Sequence, residues 1–174
     1  MKFIYPANIS KVGKREFVVS FPDVPEALTS GETETEALEE ARDCLNQALL
    51  FYLKDGRQVP APSPLKGAEY AITPDPVIAM KAALHTAVAE AKVPAATMYL
   101  ARALKVDKSE AMRILNPEHR TKADRMNDAL AVFGRAMVVS TRVIGQRGGA
   151  AVSSARSGGS VSTKARAKDR RKIA

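Results

Sequence analysis

"FPDVPEALTSGETETEALEEA", residues 21–41, decides how the rest of the chain is read. It begins as the end of a strand, passes Pro22 and Pro25 in an acidic turn, and finishes as the start of a helix. The prolines fix φ and Gly31 permits a sharp change of direction. Thr33-x-x-Glu36 is a capping box, the signature of a helix N-terminus. Beyond it Leu38, Ala41, Leu45, Ala48, Leu49 and Tyr52 recur at helical spacing, so the helix lays one apolar stripe on a sheet. Asp55-Gly56 closes it.

Upstream, "KFIYPANIS" and "REFVVSF" are rich in aromatic and β-branched residues, and Lys11-Val12-Gly13-Lys14 between them is a hairpin signal. A short extended piece over residues 27–30 supplies a third strand. Val59 is the expected start of a fourth, soon ended by "PAPSP", which marks a domain boundary. From residue 74 the pattern is helical. "DPVIAMKAALHTAVAEAK" opens on Asp75-Pro76, a good helix entry. "PAATMYLARAL", "KSEAMRIL" and "TKADRMNDALAVF" follow, the last stopped by Gly134. "RAMVVSTRVI" is β-branched and reads as a strand or an arm, and as the expected place of pairing with a second copy. The expected class is therefore α+β: a small antiparallel sheet plus helix over residues 1–66, a linker over 67–73, an all-α unit over 74–144, and a tail over 145–174. That tail is Gly-, Ser-, Ala-, Arg- and Lys-rich and is expected to be disordered, since it lacks the apolar surface to fold.

The net charge of +8 is unevenly spread. Residues 1–66 hold 8 Lys/Arg against 10 Asp/Glu, residues 67–144 hold 11 against 8, and residues 145–174 hold 8 against 1. An acidic front and a basic rear suit partners of opposite character, with nucleic acid the default for the basic end. No run of about 18 apolar residues is present, so a membrane span is not expected. The N-terminus lacks an apolar signal region, which points to the cytoplasm. Cys44 is the only cysteine, which excludes an internal disulfide and a multi-cysteine zinc site.

The corner at residues 21–41 offers Asp23, Glu26, Glu32 and Glu34. Two-metal hydrolysis needs carboxylates converging from several elements, whereas these crowd one turn and one helix start. Glu32, Glu34 and Glu36 suit the positive end of the helix. His85 and His119 have no ligand-spaced companions, and there is no phosphate loop or nucleophile elbow. No catalytic residue, metal or cofactor is expected.

"MYLARALKVDKSEAMRIL" has the spacing of a helix-turn-helix. Leu100, Ala101, Leu104, Val106, Ala111 and Ile114 fall where that motif needs apolar or small side chains. The second helix would then expose Lys108, Ser109, Met112 and Arg113 to the major groove. Thr97, Arg102, Arg120 and Lys122 are the expected phosphate contacts. Lys105 occupies the turn position that favours glycine, at a cost of about 1 kcal/mol.

Together "VVSFPDVPEALTSGETETEALEEA", "FYLKDGRQVPAPSPL" and the helix-turn-helix followed by "NPEHRTKADRMNDALAVFGRAM" resemble the HicB family of antitoxins. The resemblance spans roughly residues 3–140. It implies a partial RNase H-like front domain without that fold's catalytic acids. That domain would bind a basic, mRNA-cleaving HicA-type toxin and hide its catalytic histidine and RNA surface. Asp23, Glu26, Glu32 and Glu34 are the acids expected to face the toxin. The resemblance further implies a rear domain that dimerises, or assembles further, and represses its own operon at operator DNA. Two other readings stay open: a stand-alone helix-turn-helix regulator with a sensory front domain, and a metal-dependent nuclease, against which the crowding of the carboxylates at one turn and one helix start argues. The basic tail is expected to add phosphate contacts.

Overall fold

Alternation sets the first strand except at Pro6, which is buried like its neighbours Tyr5 and Ala7. In β1 (Tyr5–Lys11), Tyr5, Ala7 and Ile9 join the core while Asn8 and Ser10 are exposed. A loop follows in which Gly13 has φ +75° and the Val12 N–H donates to the Glu16 carbonyl at 2.7 Å. β2 (Phe17–Ser20) returns antiparallel, with Val19 opposite Ile9. β3 (Leu28–Gly31) pairs with β2, and β4 (Tyr70–Ile72) pairs with the other side of β1. The computed structural model, which describes residues 1–67 and 69–140, thus contains a four-stranded antiparallel sheet of order β3-β2-β1-β4. Pro6 lies on the part of β1 that β2 does not reach, where a missing N–H is tolerated.

α1 (Glu34–Lys54) covers this sheet with the expected stripe: Ala37, Ala41, Leu45, Leu49 and Tyr52 are buried against Tyr5, Ala7, Val19 and Phe21. Its start is built as the capping residues indicate. Thr33 Oγ1 accepts from the Glu36 N–H at 3.2 Å, and Glu36 Oε2 accepts from the Glu32 N–H at 3.0 Å. Two tight turns, Val24 N–H to Phe21 O and Ala27 N–H to Val24 O, carry the chain from β2 to β3. Gly31 is needed for proximity. A Cβ there would lie 2.6 Å from the Ala37 nitrogen, inside the first turn of α1.

The fourth strand is not where it was expected. Val59 is buried in the core but belongs to no strand. Pro60, Pro62 and Pro64 remove the donors that a ladder there would need. The strand falls instead at Tyr70–Ile72, inside the segment expected to be a linker, where three residues with an aromatic and a β-branched side chain reach β1.

α2 (Pro76–Ala91) touches both halves of the chain: Ala82 and Ile78 pack on the sheet-side core, Leu84 on a second one. Its entry is tied to α1, because the Asp75 N–H donates to Asn46 Oδ1 at 2.8 Å and the Asp75 carboxylate pairs with Arg42. The second core joins Leu84 to Leu100 and Ala101 of α3 (Ala96–Leu104), Ala111 and Ile114 of α4 (Lys108–Leu115), and Met126, Ala129 and Leu130 of α5 (Ala123–Val132). Gly134, at φ +71°, ends α5. The described part of "RAMVVSTRVI", residues 135–140, carries neither helix nor strand, and Val138 and Val139 are exposed. Residues 141–144 of that segment and the expected disordered tail over 145–174 lie outside the described residues. Among the described residues no helix is long and apolar enough to cross a membrane.

Candidate functional site

α3 and α4 are joined by Lys105, Val106 and Asp107. Lys105 adopts the left-handed conformation at φ +53°, and the chain closes on itself there: Val106 N–H donates to Ala101 O at 3.0 Å. Asp107 then caps α4, its carboxylate accepting from the Glu110 N–H at 2.8 Å. Ala101 and Ala111, both buried, leave room for the two helices to approach closely. Ala111 and Ile114 turn inward, so Lys108, Ser109, Met112 and Arg113 are left on the exposed side, with Met112 54% exposed. Glu110 leaves that face to pair with Arg125 of α5 at 2.9 Å.

The other expected phosphate contacts lie around this helix. Arg102 is exposed on α3 and Thr97 is half-buried in its first turn. Arg120 and Lys122 are exposed in the segment before α5, where Lys122 occupies the N-cap position without a side-chain cap.

Behind α4 stands a residue that sequence reasoning missed. Lys81 of α2 is 0% exposed, and its Nζ donates to the Ile114 carbonyl at 2.6 Å, the Arg113 carbonyl at 3.5 Å and Thr121 Oγ1 at 3.1 Å. One turn on, His85 Nε2 lies 3.1 Å from the Leu115 carbonyl. These carbonyls are the open end of α4, which has no partners inside its own helix and carries the negative pole of the dipole. Burial pushes the Lys81 ammonium down to about 8, and its three protons meet three acceptors. The only signal in the sequence is a lysine and a histidine four residues apart in an alanine-rich helix, with nothing to show that their partners are backbone carbonyls.

At the corner the four acids are engaged in different directions. Asp23 Oδ2 accepts from the Ser63 N–H at 2.8 Å, holding the proline-rich loop, which Tyr5 also holds through its hydroxyl on the Pro60 carbonyl at 2.8 Å. Burial, with the Asp23 charge adding, pushes the Tyr5 phenol up. Glu26 accepts from the Tyr52 hydroxyl at 2.8 Å and pairs with Arg57 at 3.2 Å, while Arg57 stacks over the Tyr52 ring. The Tyr52 bond is the main reason its carboxyl sits below the usual range. Glu34 bonds to the Tyr70 hydroxyl, joining α1 to β4. Glu32 is exposed, beside exposed Glu36, Glu39, Glu40 and Asp43. Among the described residues no three His, Cys, Asp or Glu side chains gather where a metal ion would be held. Cys44 packs against the sheet-side core with its thiol 3.6 Å from the Leu28 carbonyl, and burial pushes its pKa up, away from a reactive thiolate.

A family model described as "HicB_like antitoxin of bacterial toxin-antitoxin system" matches residues 4–83, the sheet, α1 and the start of α2. Antitoxin HicB 1 of Photorhabdus laumondii is 37% identical over 136 residues, covering 78% of this chain and 85% of the relative. The chain belongs to the HicB antitoxin family. Antitoxin HicB of Escherichia coli K12 is 36% identical over 131 residues, 75% of this chain and 94% of that protein. Antitoxin HicB of Pseudomonas fluorescens is 30% identical over 123 residues, 70% of this chain and 83% of its own. A HicB assignment thus accounts for the strand–corner–helix pattern that the sequence displays.

Proposed function

We propose that this HicB-family chain is a non-enzymatic antitoxin with two working surfaces. The front layer, β1 to β4 with α1, acts as a partial RNase H-like domain that binds a HicA-type toxin and covers its catalytic histidine and RNA surface. The α3–α4 pair acts as a helix-turn-helix that binds the operator of its own operon and represses it. The observation that carries the reading is the joining, in one HicB-family chain, of an acidic front to a helix pair whose outward face bears Lys108, Ser109, Met112 and Arg113.

The toxin is taken as basic, so the exposed acids of the corner and α1 would steer its approach and favour correct docking. Glu32 is the most available of the four expected contacts, since Asp23, Glu26 and Glu34 are also bonded within the fold. At DNA the N-terminal end of α4 enters the major groove, Lys108 and Arg113 reach guanine edges, and Thr97, Arg102, Arg120 and Lys122 hold phosphates. Reading two half-sites about one helical turn apart requires a dimer or a larger assembly. The basic residues beyond 145 add phosphate contacts, each steepening the slope of log affinity against log salt by about 0.9.

Replacing Lys108→Ala and Arg113→Ala together separates the two surfaces. Operator preference should fall by about 1–3 kcal/mol for each base no longer read, measured by titration against operator and scrambled duplexes, while toxin neutralisation is retained. Full operator preference in this variant would rule out the groove assignment.

A further inference from the structure

Lys81 is a fully buried cation that belongs to neither proposed surface, and its bonds cross between the segments that carry the DNA contacts. One ammonium joins the carbonyls of Arg113 and Ile114 to the hydroxyl of Thr121. Arg113 thus has its carbonyl held from inside while its side chain stands outside on the exposed face of α4. Thr121 is buried, yet its neighbours Arg120 and Lys122 are both exposed. The groove-facing residues and the phosphate-facing residues are therefore joined through one buried group, in addition to the Glu110–Arg125 pair and the core that α4 and α5 share. His85 holds the next carbonyl, that of Leu115, from the same face of α2.

We propose that Lys81, seated by Thr121 and assisted by His85, is a positioning residue for DNA recognition, setting the C-terminal end of α4 and the Arg120–Lys122 segment in one register. The inference rests on the α3–α4 pair binding DNA. Lys81 contacts no DNA itself. Its work is geometric: a side chain bonded to three acceptors on two segments resists their sliding past each other, and recognition tolerates little displacement. An apolar side chain at 81 would fill the space but leave the Arg113 and Ile114 carbonyls without this donor and remove their link to Thr121.

Thr121→Val and Thr121→Ser in the full chain test this without removing the buried charge. The probe is a duplex spanning the region upstream of this gene, with a scrambled duplex of equal length beside it, titrated at several salt concentrations. Valine keeps the volume and removes the acceptor; serine keeps the acceptor. Thr121→Val should lower affinity for the upstream duplex about tenfold, the scale of one weakened base pairing with a side chain. Its salt slope should flatten by about 0.9 for each phosphate that Arg120 or Lys122 no longer neutralises. Circular dichroism should show unchanged helix content, and Thr121→Ser should restore affinity and slope. A folded Thr121→Val chain with native affinity and slope would overturn the positioning role alone. Equal loss in both variants would also overturn it, because the acceptor would not be the cause. A native chain that does not prefer the upstream duplex would overturn the DNA-binding reading and this inference with it. Lys81→Met, if folded, should reproduce the valine result more strongly.

Discussion

Lys105 and Lys81 are side chains of one type in unlike settings, and both are held where a lysine is costly. Lys105 adopts φ +53°, a conformation that strains any residue with a Cβ, because the turn between α3 and α4 demands it. Lys105→Gly should therefore stabilise the chain by up to about 0.5 kcal/mol, the relief of about 1 kcal/mol of strain outweighing glycine's extra unfolded-state entropy. Chemical denaturation measures this directly, and a destabilised glycine variant would mean that the lysine side chain itself supports the turn. Lys81 makes stability depend on pH. Its folded value is lowered by burial from 10.5 to about 8, so between those values the unfolded chain binds a proton that the folded chain has lost. Stability from this group thus rises with pH across that window and is level below it. Tyr5 opposes it at the alkaline end. Its phenol is raised by burial, so its contribution holds below its ordinary value of 10.0 and is lost as pH climbs further. The melting temperature should rise from about pH 8 toward pH 10 and then turn down, and Lys81→Met should flatten the rising limb.

At the scale of elements, legibility followed the range of the forces. The passage from β2 to α1 was readable because its determinants are local: a capping threonine, a stripe of period 3.6, and a glycine where strand meets helix. Gly31 was legible as a special residue, but its reason lies in the 2.6 Å approach to the Ala37 nitrogen and not in a positive φ. Gly31→Ala should push the first turn of α1 off the sheet and cost about 1–3 kcal/mol, read as a lower denaturation midpoint at unchanged slope. A neutral result would show that α1 is free to shift there. β4 was not legible. Three residues carry no periodicity, and its partner on β1 lies more than sixty positions away in sequence. The pair α3–α4 was anticipated because Leu100, Ala101, Ala111 and Ile114 repeat at short spacing and do form its core. The clamp behind it was hidden, since the acceptors of Lys81 Nζ include backbone carbonyls, which every residue has.

For the whole molecule, α2 is the element that gives the two surfaces a common frame. Ile78 and Ala82 belong with the sheet and α1, Leu84 with the helical core, and Lys81 and His85 reach the end of α4. Arg42 and Asn46 on α1 hold its entry at Asp75, and Lys54 at the end of α1 pairs with Glu118 beyond α4 at 2.6 Å. The acidic front and the basic rear are thus charge-separated but mechanically connected. How much of the candidate surface was readable divides along the same line. The outward residues Lys108, Ser109, Met112 and Arg113 are where their spacing put them, because exposure on a short helix follows directly from its buried positions. The acids of the corner were legible as charges but not as hydrogen-bond partners. The engagement of Asp23 by Ser63, Glu26 by Tyr52 and Glu34 by Tyr70 spans 26 to 40 residues of sequence.

Co-expression of the full chain with a HicA-type toxin, sought first in the reading frame beside its gene, tests the central claim most directly. The antitoxin account predicts that growth arrest by that toxin disappears and that the two proteins co-purify as a stable complex. Loss of both when several exposed acids from Glu32 to Asp43 are neutralised would locate the contact on the front. Persistent toxicity with no complex, both proteins being folded, would contradict the account and leave a DNA-binding regulator without a toxin.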